Sequence, residues 1–363
     1  LLLRLQEKAP RGGATGIGLL RPHSSSGRQL EDLAMAAEQA SLDDGADTLL
    51  WKGIQTFAST YGYTAENHTA ADTSVEAAEA ALREAAESGA ALVVCRGEAM
   101  AQALFNIQNN YPGVHYLLFD GEPHNSSYTN YTTESNVHCV LFQEEQAGFL
   151  AGYAAVTDGY TQLGFIGAEE IPGVVRYVTG FLQGAEYAAE QQGLTVDLRT
   201  WFAGTYSASD DTTNRMLDWC NNGTTLLFVN GGNLIASAID AAKETTSGNE
   251  VRVMASDYDQ NDSSDLILGS AIKCYNSAVQ QELYAFFSGN AAWDQTAAGQ
   301  SEKVGYTTGA VALAGPHWRF AELSQHDYER LYTQLRNSDL KVDTYADMNT
   351  LPDTPNVTVE KQN

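Results

Sequence analysis

The order of apolar runs and amphipathic segments predicts an α/β protein of two doubly wound lobes with parallel sheets. Two observations lead there. Short β-branched or aromatic runs, several ending at Gly, Asp or Asn as buried parallel strands do, alternate with segments of helical period. The pattern also runs twice, and a further strand–helix pair follows Leu266. Strands separated by helices at this spacing imply βαβ units with helices on both faces of a sheet.

Taken in order, strands are expected at Thr15–Leu20, Ala91–Gly97, Val114–Asp120, Val137–Phe142, Leu163–Ala168, Leu226–Asn230 and Val251–Asp257. SVEAAEAALREAAESG places Val75, Ala78, Ala81 and Leu82 on one helical face and acids on the other. TGFLQGAEYAAEQQG and LIASAIDAAKETTSG behave similarly and stop at Gly or Ser-Gly, a usual helix terminus. The polar stretch Glu122–Ser135, rich in Asn, Ser and Thr, reads as a loop punctuating the two series. LILGSAIKCY and AVQQELYAFFSG then supply the return strand and helix. Ligands of such folds sit at the carboxyl ends of strands, which between two lobes means a cleft.

Length and charge bound the function. A chain of 363 residues has room for two domains at about 150 residues each. Twenty Lys and Arg against 46 Asp and Glu give a net charge of −26. That sign opposes binding to nucleic acid or docking on anionic lipid through the folded surface. Cys95, Cys139, Cys220 and Cys274 form no CxxC motif, and the first two lie in apolar runs as buried thiols do. No apolar run nears the ~18 residues of a membrane span. The opening LLLRLQEKAPRGG has neither a signal core nor a cleavage pattern, so the chain is cytoplasmic or lacks its export segment.

Catalytic signatures are missing: no GxxxxGK[ST], no HExxH, no GxSxG. Gly16-Ile-Gly18 begins like a dinucleotide fingerprint, but Arg21 takes the third glycine's place. The seven histidines show no metal-ligand spacing on one helix face. No metal and no cofactor are therefore expected. Asp257, Asp259 and Asn261 open like a calcium loop, yet Asp262 and Leu268 stand where Gly and Glu are needed. Asp257 instead fits the carboxyl end of VRVMAS, where a carboxylate accepts two hydroxyl hydrogen bonds from a sugar; the alternative is a solvated turn residue. Lys273 interrupts an apolar strand and needs a partner there. Either it pairs with Asp257 or Asp259 structurally, or it also donates to a ligand. Trp51 and Tyr206 are aromatics beside loop-like segments, for which core packing is the default.

FQEEQAGFLAGYAAV, LGFIGAEEIPGVVRYVTGFLQGAEYA, VRVMASDYDQ and SAIKCYNSAV together resemble the BMP (basic membrane protein) family of substrate-binding lipoproteins. YPGVHYLLFD fits the same pattern, and the likeness runs from about Trp51 to about Leu313. The resemblance implies a type I periplasmic-binding-protein fold, with two lobes joined by a hinge of three crossings. On this chain it implies lobes of 14–142 plus 276–305 and of 143–275 plus 306–363. It further implies a purine-nucleoside receptor that feeds an ABC permease and ATPase, monomeric and without catalysis. The base would stack between Trp51 and Tyr206. Gly231 and Gly232 would admit the ligand to the backbone, and Asp257 and Lys273 would hold ribose hydroxyls. Glu144 or Glu145 would reach the sugar.

The family's D-x-S-F-N run is replaced by PHSSSGRQLEDLAMAAEQASLDDGADTLL, in which Asp43 and Asp47 are approximate substitutes and His23 to Ser26 fill the space. Glu98 stands where the family often has an aromatic. The expected function is an extracytoplasmic, lipid-anchored receptor whose export segment is absent from this chain. The alternatives are a sugar receptor, a sensory domain of the same fold, or a nucleoside-hydrolysing enzyme using Asp257, Asp259 and Asp262.

Overall fold

A computed structural model of the chain describes residues 33–37, 45–288, 293–337 and 340–363. The strand expected at Thr15–Leu20, the Gly16–Arg21 motif, His23 to Ser26 and Asp43 lie outside the described residues. Within them the chain divides into two units. The N-terminal unit comprises residues up to Phe142 and Tyr275–Val304; the C-terminal unit comprises Gln143–Cys274 and Gly305–Asn363.

The N-terminal unit holds β1 (Leu33–Ala37), β2 (Ala65–Thr69), β3 (Leu92–Arg96), β4 (His115–Phe119) and β5 (Val137–Phe142). The C-terminal unit follows with β6 (Gln162–Gly167), β7 (Val196–Phe202), β8 (Leu226–Asn230), β9 (Arg252–Asp257) and β10 (Ile267–Lys273). The chain then returns to give β11 (Ser301–Val304) to the first unit, and β12 (Val311–Leu313) and β13 (Val357–Gln362) to the second.

The helices in chain order are α1 (Ala46–Tyr61), α2 (Val75–Glu87), α3 (Glu98–Ile107), α4 (Glu144–Thr157) and α5 (Pro172–Gln192). After them come α6 (Asp210–Asn221), α7 (Leu234–Glu244), α8 (Tyr275–Phe287), α9 (Trp293–Thr296) and α10 (Gln325–Asn337).

One sheet has the order β11-β5-β4-β3-β1-β2 and the other β12-β10-β9-β8-β6-β7-β13. Each repeats the doubly wound 2-1-3-4-5 arrangement, with its switch point between β1 and β3 or between β6 and β8. Among the described strands pairing is parallel except at β12, which runs antiparallel to β10. A sheet edge tolerates that reversal because only one neighbour is involved.

Two expectations need correction. The long first loop is not all loop: Leu33–Ala37 within it forms β1, paired on both sides and buried. Trp51 is not beside a loop but in the second turn of α1.

Alanine-rich faces build the N-terminal core. Ala78, Ala81, Leu82, Ala85 and Ala86 of α2 pack with Val93, Leu104 and Tyr116, and each fully buried Leu or Val contributes roughly 1.5–3 kcal/mol. Ser74 caps α2 by accepting from the Ala77 N–H at 3.1 Å. In the C-terminal unit, α4 is buried on nearly every side, as a helix without a polar face must be. It reaches that depth through small residues. A Cβ on Gly148 would lie 2.2 Å from the Tyr177 carbonyl oxygen, and one on Gly152 2.0 Å from that of Phe181. Reciprocally, Gly180 and Gly184 of α5 seat on the carbonyls of Glu145 and Phe149. Backbone thus meets backbone along two turns, which fixes where α5 presents Arg176 and Tyr177.

Candidate functional site

Three neighbouring parallel strands of the C-terminal unit end on polar residues: β8 on Asn230, β9 on Asp257 and β10 on Lys273. Asn230 Nδ2 donates to Asp257 Oδ2 at 3.2 Å and to Ser256 Oγ at 2.8 Å. Lys273 Nζ stands 3.5 Å from Asp257 Oδ1. The Tyr177 hydroxyl donates to that same oxygen at 3.1 Å, and Lys273 Nζ lies 5.7 Å from the Tyr177 ring centroid. Asp257 adopts a left-handed backbone, φ 69°, which costs on the order of 1 kcal/mol for a residue with a Cβ. Those three donors offset the strain and aim the carboxylate.

Glu144, at the start of α4, closes the network. Its Oε1 is 3.2 Å from Lys273 Nζ, and its Oε2 accepts from Arg176 Nε at 2.8 Å. Two cations and two carboxylates therefore alternate, each charge meeting an opposite one. Lys273 thus pairs with Asp257 and also with Glu144, a partner not foreseen. Asp259 is not its partner; Asp259 Oδ1 accepts from the Asn261 N–H at 3.0 Å. Neighbouring Glu145 is buried, and among the described residues its Oε2 has no hydrogen-bond partner. Burial first, and then the Glu144 charge, push its carboxyl above the usual range.

Gly231 and Gly232 follow β8 with φ of 145° and 50°. A Cβ on Gly231 would meet Ala168 at 2.3 Å, and one on Gly232 would meet Tyr206 at 2.7 Å. Glycine is thus required by packing at both positions. The Tyr206 carbonyl accepts from the Asn233 N–H at 2.9 Å, while its residue is 44% exposed. The structure brings Asn230, Gly231, Gly232 and Tyr206 into one loop cluster beside the Asp257 network.

The N-terminal unit carries a counterpart that sequence reasoning missed. Asp120 follows β4 with φ 61°. It accepts from the Tyr275 hydroxyl and lies 3.4 Å from Arg96 Nη1, at the end of β3. Arg96 Nε also donates to Asp47 Oδ1 at 2.8 Å, in the first turn of α1. The guanidinium sits 5.9 Å from the Tyr275 ring centroid. A left-handed Asp, a Tyr hydroxyl, a cation over that ring and a further carboxylate thus occur once in each unit. The available signal was two expected strands ending near Arg96 and Asp120. Trp51, partly exposed, lies one turn beyond Asp47. Glu98 Oε1 is 2.5 Å from His124 Nε2.

The hydrolase alternative needed Asp257, Asp259 and Asp262 to converge. Among the described residues these three do not bring their carboxylates within 4.8 Å of one another; Asp262 is 88% exposed beside His317, and Asp257 faces Lys273. Among the described residues no helix is long and apolar enough to cross a membrane.

Known proteins bear on this architecture. The chain is similar to an ABC transporter solute-binding protein of Aeropyrum pernix, at TM-score 0.63 and 17% identity over 84% of this chain and 86% of that one. It is also similar to one of Conexibacter woesei, at TM-score 0.65 and 16% identity over 86% and 99%. At such identities the likeness shows the two-unit α/β fold of periplasmic binding proteins. An uncharacterized lipoprotein of Pyrococcus abyssi is 26% identical over 157 residues, 42% of this chain. The match spans only 37% of that relative's length. A family model described as PnrA-like ABC transporter substrate-binding protein matches residues 31–343. The chain therefore belongs to the Bmp family, a family of substrate-binding proteins rather than of enzymes.

Proposed function

We propose that this chain captures a nucleoside, a purine nucleoside first, and delivers it to an ABC permease and ATPase from an extracytoplasmic, lipid-anchored position. The family description supports the importer partners, and the lipoprotein relative supports the anchor. The observation that carries the ligand reading is the Asp257 carboxylate, held by three donors yet 30% exposed. An ionised carboxylate offers about four acceptor positions. Two donors meet Oδ1 and one meets Oδ2, so Oδ2 retains capacity for a ribose hydroxyl. Such a charged hydrogen bond contributes roughly 1.5–3 kcal/mol. Tyr206 and Trp51 would contribute base stacking, on the order of 1–3 kcal/mol per base, and Asp47 lies next to Trp51 on α1.

Thermal-shift screening followed by calorimetry tests the reading against nucleosides, free bases, pentoses and hexoses. Nucleosides should raise the melting temperature more than either half alone. A shift with a pentose or hexose and none with any nucleoside replaces the nucleoside reading with a sugar receptor.

A further inference from the structure

We propose that His138, Glu282 and Glu302 form a binding site for one divalent transition cation, zinc foremost, within the N-terminal unit. The three come from β5, α8 and β11, and their ligand atoms all lie within 4.8 Å of one another. Register explains part of the meeting. Glu302 pairs with Val140, and residues two apart on a strand share a face, so Glu302 and His138 project to the same side. α8 then brings Glu282 to them.

The spacing is that of a coordination sphere. His138 Nε2 stands 3.2 Å from Glu302 Oε2 and 3.7 Å from Glu282 Oε2. Ligands about 2.0–2.1 Å from a tetrahedral zinc are separated by about 3.3 Å. His138 is only 4% exposed, and its Nδ1 lies 3.2 Å from the Ala297 carbonyl. A carbonyl only accepts, so Nδ1 carries the hydrogen. In the neutral ring Nε2 therefore turns a lone pair toward two carboxylates. A backbone carbonyl behind Nδ1 is the outer contact that orients a ligating histidine. Imidazole nitrogen with carboxylate oxygen suits zinc and its neighbours better than calcium or magnesium. Glu302, 47% exposed, gives the ion an entry path and leaves room for water as a fourth ligand.

A cation would balance the two carboxylates and compete with protons for them. It would also join three chain segments that adjoin the unit boundaries: β5 ends at 142/143, α8 begins at 274/275 and β11 ends at 304/305.

The full chain, stripped with EDTA and dialysed, is titrated with zinc chloride by calorimetry, and its metal content is measured by mass spectrometry. About one zinc per chain should bind, and its removal should lower the melting temperature. Glu302→Gln, at a half-exposed position, keeps the fold by circular dichroism and should weaken zinc by at least about tenfold, as should Glu282→Gln. Absence of stoichiometric uptake by the wild type, or unaltered affinity in the folded Glu302→Gln protein, overturns the site. Nucleoside thermal shifts on the same samples keep this outcome separate from the solute reading.

Discussion

Lys273 Nζ and Glu144 Oε1 stand 3.2 Å apart with side chains only 7% and 5% exposed, joining the end of β10 to the start of α4. A charge buried this deeply is tolerated because it is paired, and removing Lys273 leaves Asp257 without a cation and Glu144 with Arg176 alone. Lys273→Met should therefore destabilise the protein by about 3 kcal/mol or more, measured by urea unfolding at pH 7. A loss below about 1 kcal/mol would show that the pair behaves as a surface bridge.

Asp257→Ala removes the carboxylate that Lys273, Tyr177 and Asn230 orient. Nucleoside affinity should fall at least about tenfold, or roughly 1.4 kcal/mol. Unchanged calorimetric affinity would take Asp257 out of the site.

Tyr206 is exposed, so its loss should cost little stability. Tyr206→Ala should instead weaken nucleoside binding by about 1–3 kcal/mol, with free pentose unaffected. An equal loss for pentose would mean that the ring contacts the sugar and does not stack on a base.

Gly148→Ala places a methyl group 2.2 Å from the Tyr177 carbonyl, where only backbone could yield. Unfolding should move by more than about 3 kcal/mol. Gly113→Ala, with nothing within 4 Å of its Cβ, should stay within about 0.5 kcal/mol. Comparable Tm values for the two would refute the backbone seating.

Burial raises the Glu145 carboxyl above its ordinary range. The folded state then binds more protons than the unfolded one between about pH 4.3 and the raised value, so stability falls as pH rises through that window. Glu145→Gln removes this penalty. Its melting temperature should exceed the wild type's at pH 7 and converge with it near pH 4. A constant difference across that range would assign the effect to packing.

Much of the fold is visible in the residues themselves. Val137–Phe142 and Leu226–Asn230 occur as strands at the bounds their apolar runs suggest. β1 was hidden because LAMAA contains three alanines, the strongest helix former, and only its neighbours on both sides make it a strand. β2, AENHT, lies at a sheet edge and lacks an apolar face. Asp257 and Lys273 announce themselves as an acid ending one strand and an ammonium inside another. Arg96, Asp120 and Tyr275 do not, since their meeting depends on strand order and on a return of 155 residues. His138 and Glu302, 164 positions apart, are hidden for the same reason.

The glycine seating of α4 on α5 bears on how such a receptor changes its diet over generations. The four facing glycines of these helices cannot gain a side chain without pushing carbonyls apart, and Arg176 and Tyr177 travel with α5. Selection for a new solute is thereby steered away from the helix pair. On the proposed reading, change falls instead to loop residues such as Tyr206, whose side chain is exposed.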